Sequence, residues 1–361
     1  MTEQPEMVDW DLATQTAKRF TRPGPEVSPD EVHDIVAELR QGATDSESHV
    51  REFSQLHARS ASAPIVIVDR PGWVQANTEG FRTLLRPVVG KIIATKGEPS
   101  AMANAVGSRI TGVEVGALLG YLSGRVLGQF DPFWRGAAGA GDPAPDDAGR
   151  LLLVAPNIVQ TERELDVVAR DFRLWVCLHE ETHRVQFTAV PWLREHLLSE
   201  VKALVDATDL NPSALGAQLR EGIQQVARAT KGDGDVSLLD VVQTPAQREI
   251  VDRVTATMSL LEGHADVVMD EVGPDVIPTV ATIRERFNVR RKGGGTLDQM
   301  LRKLLGFDAK MKQYRDGAIF VRGVLDKVGM DGFNRVWTSP NTLPTKTEIG
   351  DPEAWVRRVH G

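Results

Sequence analysis

The chain is predicted to fold predominantly as α-helix with a small sheet, an α+β arrangement. Long helical periodicities cover most of its 361 residues, near 10–20, 30–57, 72–94, 101–129, 161–190, 192–207, 212–229, 245–272, 277–290 and 309–329. Strand signals are few and short: "APIVIVDR" at 63–70 and "GRLLLVAPNIV" at 149–159. Apolar residues make up 41% of the sequence, enough to fill a core, and charged residues 25%, as in ordinary globular chains.

The formal charge of −8 argues against a nucleic-acid-binding surface, which needs a basic face to neutralise phosphates. One cysteine, Cys177, excludes an internal disulfide and suits a reducing compartment. The N-terminal "MTEQPEMVDWDLATQ" lacks the basic and apolar regions of a secretory signal, so a cytoplasmic location is expected. Residues 108–130 carry glycines at 112, 116, 120, 124 and 128, a four-residue repeat that makes a smooth helical ridge. Arg109, Glu114 and Arg125 interrupt any apolar run long enough for a membrane span. The ridge predicts a tightly packed buried helix, with a homo-oligomeric contact as the alternative.

A single domain over 1–361 is expected, with residues 135–149 ("RGAAGAGDPAPDDAG") a Gly- and Pro-rich surface loop. A separately folding N-terminal piece ending in that loop is the alternative.

The chemistry concentrates in "LWVCLHEETHRVQF", residues 174–187. Residues four apart share a helix face, so His179 and His183 can direct an imidazole nitrogen at one ion. Glu180 lies about 100° round the helix and can reach a water on that ion as a general base. The surrounding helix has no internal Gly or Pro until Pro191, and Phe172, Val176 and Phe187 fall near the histidine face. Composition alone yields about 0.01 such HExxH strings in a chain of this length, so the motif is a strong signal. Cys177 sits about 160° away from His179 and reads as a buried, inert thiol.

A third ligand is required. Gln186 and Ala189 stand where an extended HExxHxxGxxH pattern needs Gly and His, so the ligand comes from elsewhere. Glu195, His196 and Glu200 lie just downstream. The stronger candidate is Glu262, in a helix that Thr244 caps, Pro245 and Gln247 begin, and Gly273 with Pro274 close. An acid among "MSLLEGHADVVM" is costly unless something compensates it, and a metal would. Asp266, four residues on, could accept the second N–H of a ligating histidine. For a donor to the developing oxyanion, Tyr314 is the first candidate and His264 the second.

"HEETH" followed by "LEGHAD" resembles the gluzincin branch of zinc peptidases, in which a second helix supplies a glutamate ligand and an acidic residue four positions on. Over nearly the whole chain the sequence also resembles an actinobacterial family of zincin-like metallopeptidases. That likeness rests on "VDWDLA", "VDRPGWVQAN", "LLLVAPNI", "HEETHRVQFTAVPWLREHL", "LEGHADVVMD", "KMKQYRDGAIFV" and "FNRVWTSPNTLPTKTEIGDPEAW". Some members are labelled hydrolases and some are named for an association with deazaflavin-coenzyme biosynthesis. The resemblance implies a zincin-like fold, Zn2+ as cofactor and a helical insertion over 191–243 between the ligands.

The expected activity is therefore zinc-dependent hydrolysis of a peptide or small amide, with Glu180 as base and "GRLLLVAP" as the sheet edge that pairs with substrate. The alternative is a zincin-like scaffold that binds zinc and acts as a binding or regulatory protein with little turnover.

Overall fold

The computed structural model describes residues 6–57, 63–97, 100–134, 149–208, 244–292 and 307–361. The mostly helical expectation holds. The order is α1 (Trp10–Phe20), α2 (Pro29–Ser54), β1 (Ile65–Val68), α3 (Arg70–Lys96), α4 (Ala101–Ser123), β2 (Gly128–Asp131) and β3 (Arg150–Val154). There follow α5 (Ala155–Leu165), α6 (Ala169–Ala189), α7 (Pro191–Ala207), α8 (Pro245–Val276), α9 (Val280–Lys292) and α10 (Phe307–Phe333). Two 3-10 turns, Asn334–Trp337 and Pro340–Thr342, lead to α11 (Lys346–Ile349) and α12 (Pro352–His360). Much of the surface loop expected at 135–149, and the stretch 209–243 of the expected insertion, lie outside the described residues.

Local chemistry sets the helix ends that matter. Ser28 caps α2 in a reciprocal capping box with Glu31, and Thr244 does the same for α8 with Gln247. The helix expected over 161–190 is two helices: Asp166 takes a left-handed conformation (φ 52°) that ends α5, and α6 begins at Ala169. The α8 helix passes through Gly273 and Pro274 to Val276, because the Ile277 N–H reaches back to the Gly273 carbonyl (2.7 Å) and completes a last turn.

The sheet has the order β1-β3-β2, with β1 parallel and β2 antiparallel to β3. Strand β3, expected as the edge, is the centre, and its Leu151, Leu152, Leu153 and Val154 are all buried. Strands β2 and β3 both contact α6, and β2 follows the glycine-ridged helix instead of belonging to it. Gly112, Gly116 and Gly120 of α4 press on the backbone of α1: a Cβ at Gly116 would stand 2.4 Å from the Ala13 carbonyl oxygen. Three of the five ridge glycines are thus covered by the chain's own first helix, but Met102, Val106, Ile110 and Val113 of α4 are exposed, so the helix is tightly packed on one side and not buried as expected. No helix of the described residues is long and apolar enough to cross a membrane.

The main apolar core joins α2, α6, α8 and α10 through residues such as Leu39, Phe172, Leu178, Leu260 and Phe320, all without solvent exposure. Helices α8 and α10 cross backbone to backbone at Gly263 and Gly317, where a Cβ on Gly263 would lie 2.1 Å from the Gly317 carbonyl carbon. That crossing falls on the residue after Glu262. It fixes where the Glu262 carboxylate is presented.

Candidate metal centre

Helix α6 presents His179 and His183 on one face, and α8 brings Glu262 against them. The two imidazole Nε2 atoms are 3.3 Å apart. Glu262 Oε2 lies 3.5 Å from His179 Nε2 and 3.4 Å from His183 Nε2. Ligands arranged tetrahedrally around zinc at about 2.0–2.1 Å are separated by about 3.3–3.4 Å, so this triangle has the size of a metal's ligand set. Glu262 Oε2 is also a buried oxygen with no well-directed hydrogen-bond donor. A buried acceptor left this way is costly, and a cation resolves it. These three residues form the candidate metal cluster among the described residues. The donor set of two imidazoles and one carboxylate is that of catalytic zinc centres with an open fourth position.

The electrostatics agree. Burial alone would lower the His183 pKa and raise that of Glu262. Their mutual attraction prevails: His183 is pushed up to about 9 and Glu262 is held well below the usual carboxylate range. In the metal-free protein a proton takes the place of positive charge.

The other proposed ligands lie elsewhere. Glu200 is held by Arg253, with Nη2 to Oε2 at 2.8 Å; His196 packs edge-on against Trp192; Glu195 is exposed. Glu180 is buried beside the cluster, and Gly128 at the start of β2 lies directly on it. A Cβ at position 128 would stand 2.5 Å from Glu180 Cγ, so glycine is what lets the strand cover the carboxylate.

Two expectations need correction. Asp266 does not serve an imidazole: its Oδ1 accepts from Arg284 Nη1 at 2.9 Å. Instead, the Nδ1 of His183 faces Gln186 Oε1 at 3.0 Å, and that of His179 faces the Met269 sulfur at 3.1 Å. His264 is not in the cleft. It is fully buried behind it, stacked on Phe333, with its Nδ1 accepting from Gln186 Nε2 at 2.9 Å. Burial pushes its pKa down to about 3, so it stays neutral. The Tyr314 side chain lies outside the described residues. Cys177 is fully buried against the Leu39 carbonyl, and burial pushes its thiol well up, as an inert residue requires.

Sequence reasoning passed over Gln186 and Gly128. Gln186 had a signal: a polar residue three positions after His183, on the same helix face. Gly128 had none beyond its place in the glycine series.

The cluster opens onto a cleft of about 660 Å³. Its walls are mostly apolar, with Phe81, Phe130, Phe187, Leu197, Met258 and Leu261 among the lining residues. A mostly apolar cleft with a few convergent polar groups is the usual form of a small-ligand site.

Comparison with known proteins bears on this geometry. Residues 8–356 match the family described as "Zincin-like metallopeptidase". The chain belongs to that family. Among solved structures it is similar to a protein from Chloroflexus aurantiacus described as "a putative hydrolase with a novel fold". The likeness has a TM-score of 0.68 and 29% identity over 98% of this chain and 99% of that one. A search of curated proteins gave no match.

Proposed function

We propose that this zincin-like protein is a zinc-dependent hydrolase of gluzincin type that cleaves a peptide or amide bond, with Glu180 as general base. The observation that carries the proposal is the convergence of two imidazole nitrogens and a buried carboxylate oxygen that lacks a well-directed donor among the described residues, in one triangle, with a second buried carboxylate beside it. A purely structural metal site has no use for that second acid. His179, His183 and Glu262 would hold the metal, which supplies Lewis acidity and an acidified water when bound.

The chain's own residues then have distinct tasks. Glu180 takes the proton of the attacking water and returns it to the leaving amine. The strand suited to pair with an extended substrate is β2, since β3 is enclosed on both sides. In the register of β2 with β3, Leu127 pairs through the Val154 N–H, so the alternation turns the backbone groups of Gly128 and Phe130 away from β3, toward the edge that no described strand pairs with. Phe130 and Phe187, whose ring centroids are 5.6 Å apart, supply an apolar wall of the cleft.

The test is a mass-spectrometric screen of a mixed peptide library with zinc-loaded protein, wild type beside Glu180→Gln. The variant is expected to keep its metal and lose cleavage by about 10²–10⁴-fold, the usual contribution of a positioned base. Zinc bound by both proteins with no cleavage by either would favour the scaffold reading.

A further inference from the structure

We infer that Gln186 is a positioning residue of the metal centre: it selects the His183 tautomer that leaves Nε2 free to ligate, and it ties the histidine helix to the Glu262 helix. The inference rests on the metal reading above and adds a role for a residue outside the HEETH motif.

The side-chain amide of Gln186 has no solvent exposure and makes three contacts. Nε2 donates to the Leu261 carbonyl at 3.0 Å and to His264 Nδ1 at 2.9 Å, while Oε1 faces His183 Nδ1 at 3.0 Å. The Leu261 carbonyl can only accept, so the atom facing it has to be the amide nitrogen. A flipped amide would set two acceptor oxygens against each other at a side chain with no solvent exposure. With the amide fixed, Oε1 is the acceptor at His183, and His183 Nδ1 must carry a hydrogen. In the neutral ring Nε2 is then left with its lone pair. That atom is the one 3.3 Å from His179 Nε2 and 3.4 Å from Glu262 Oε2.

His264 completes the arrangement. Accepting at Nδ1, it carries its own hydrogen on Nε2, a buried atom with no hydrogen-bond partner among the described residues, beside Phe333 and Trp337. That imidazole keeps Gln186 from rotating, because the amide's second hydrogen has a dedicated acceptor. Leu261 is the residue before Glu262, so one amide sets both the direction of a histidine ligand and the spacing of the carboxylate helix. His179 has a weaker support, the thioether of Met269, so the loss of Gln186 cannot be made good from that side.

The experiment is zinc affinity by competition with a chromogenic chelator at fixed pH, for wild type, Gln186→Met and Gln186→Glu, together with melting temperatures of the metal-free proteins. Gln186→Met, of equal length but without the acceptor, is expected to weaken zinc by about 10–100-fold, as loss of a hydrogen-bond partner to a ligating histidine does. Gln186→Glu keeps an oxygen toward His183 but turns a second one on the Leu261 carbonyl, so it is expected to lower the melting temperature while the folded variant recovers part of the lost zinc affinity. A merely structural role would lower both melting temperatures and leave the zinc affinity of the folded variants unchanged, which would overturn the inference. Should the methionine variant not fold, the ¹⁵N imidazole spectrum of zinc-loaded wild type decides. A proton on His183 Nδ1 supports the assignment and a proton on Nε2 overturns it. A wild type that takes up no zinc at all refutes the metal reading itself, an outcome distinct from an unmoved variant.

Discussion

Helix α6 buries acids on two of its sides, and the two clusters behave oppositely. Toward α2, Glu181 is fully buried and receives Arg184 Nε at both carboxylate oxygens (2.8 Å each), while Arg184 Nη2 reaches Glu47 Oε2 at 2.6 Å. Toward α8, Glu262 meets two imidazoles at 3.4–3.5 Å and keeps a buried oxygen without a proper donor. Burial is common to both clusters, and so is the cost of placing a charge there. What separates them is satisfaction. The first cluster has its cation built into the chain; the second has the spacing of a metal's ligand set.

The largest effect that would sharpen this contrast is expected from Arg184→Met. Removing the built-in cation leaves Glu181 and Glu47 facing each other, and breaking such a buried pair costs about 3–5 kcal/mol. Chemical denaturation should show that loss, while the folded variant retains the wild-type zinc content. A variant that lost zinc in proportion to stability would show that the two clusters are one coupled unit and would break the comparison.

A smaller effect is expected from pH. In the metal-free protein the proton on His183, whose pKa is pushed up to about 9 against the effect of burial by Glu262, occupies the lone pair a metal needs. Proton and metal therefore compete below that value. Zinc affinity should rise by about tenfold per pH unit from pH 7 toward 9 and then level off, with protons released on uptake, as titration calorimetry in two buffers can measure. The Glu181 cluster, although burial pushes its carboxyl up to about 7, has Arg184 as its cation, and a change of Glu181 to Gln should leave this profile unaltered. A profile flat across this range would contradict the competition.

Much of this was readable before the fold was known, and the exceptions have physical causes. The start of α8 follows from its local capping chemistry, and the two histidines from spacing on a helix without breakers. Glu262 stood out because an acid in an apolar helical stretch demands compensation. Strand β2 did not stand out: its four residues, Gly128–Asp131, gain their conformation from pairing with β3 and have no alternation of their own. The break at Asp166 rests on one residue's left-handed backbone, which no Gly or Pro announces. The roles of Gln186, Asp266 and His264 depend on how α8 docks on α6, α9 and α10, and nothing within one helix encodes it. Asp266 in particular looked like a histidine partner from its spacing, and it was Arg284, on α9, that claimed it.

The central claim is that Glu262 closes a three-ligand metal site with His179 and His183. It is tested most directly by metal content, measured by plasma mass spectrometry after gel filtration in metal-free buffer, for wild type beside Glu262→Ala. About one zinc per wild-type chain and a clear loss in the folded variant is the result expected of a three-ligand centre. Equal zinc in both proteins, or none in a reconstituted wild type, would contradict it.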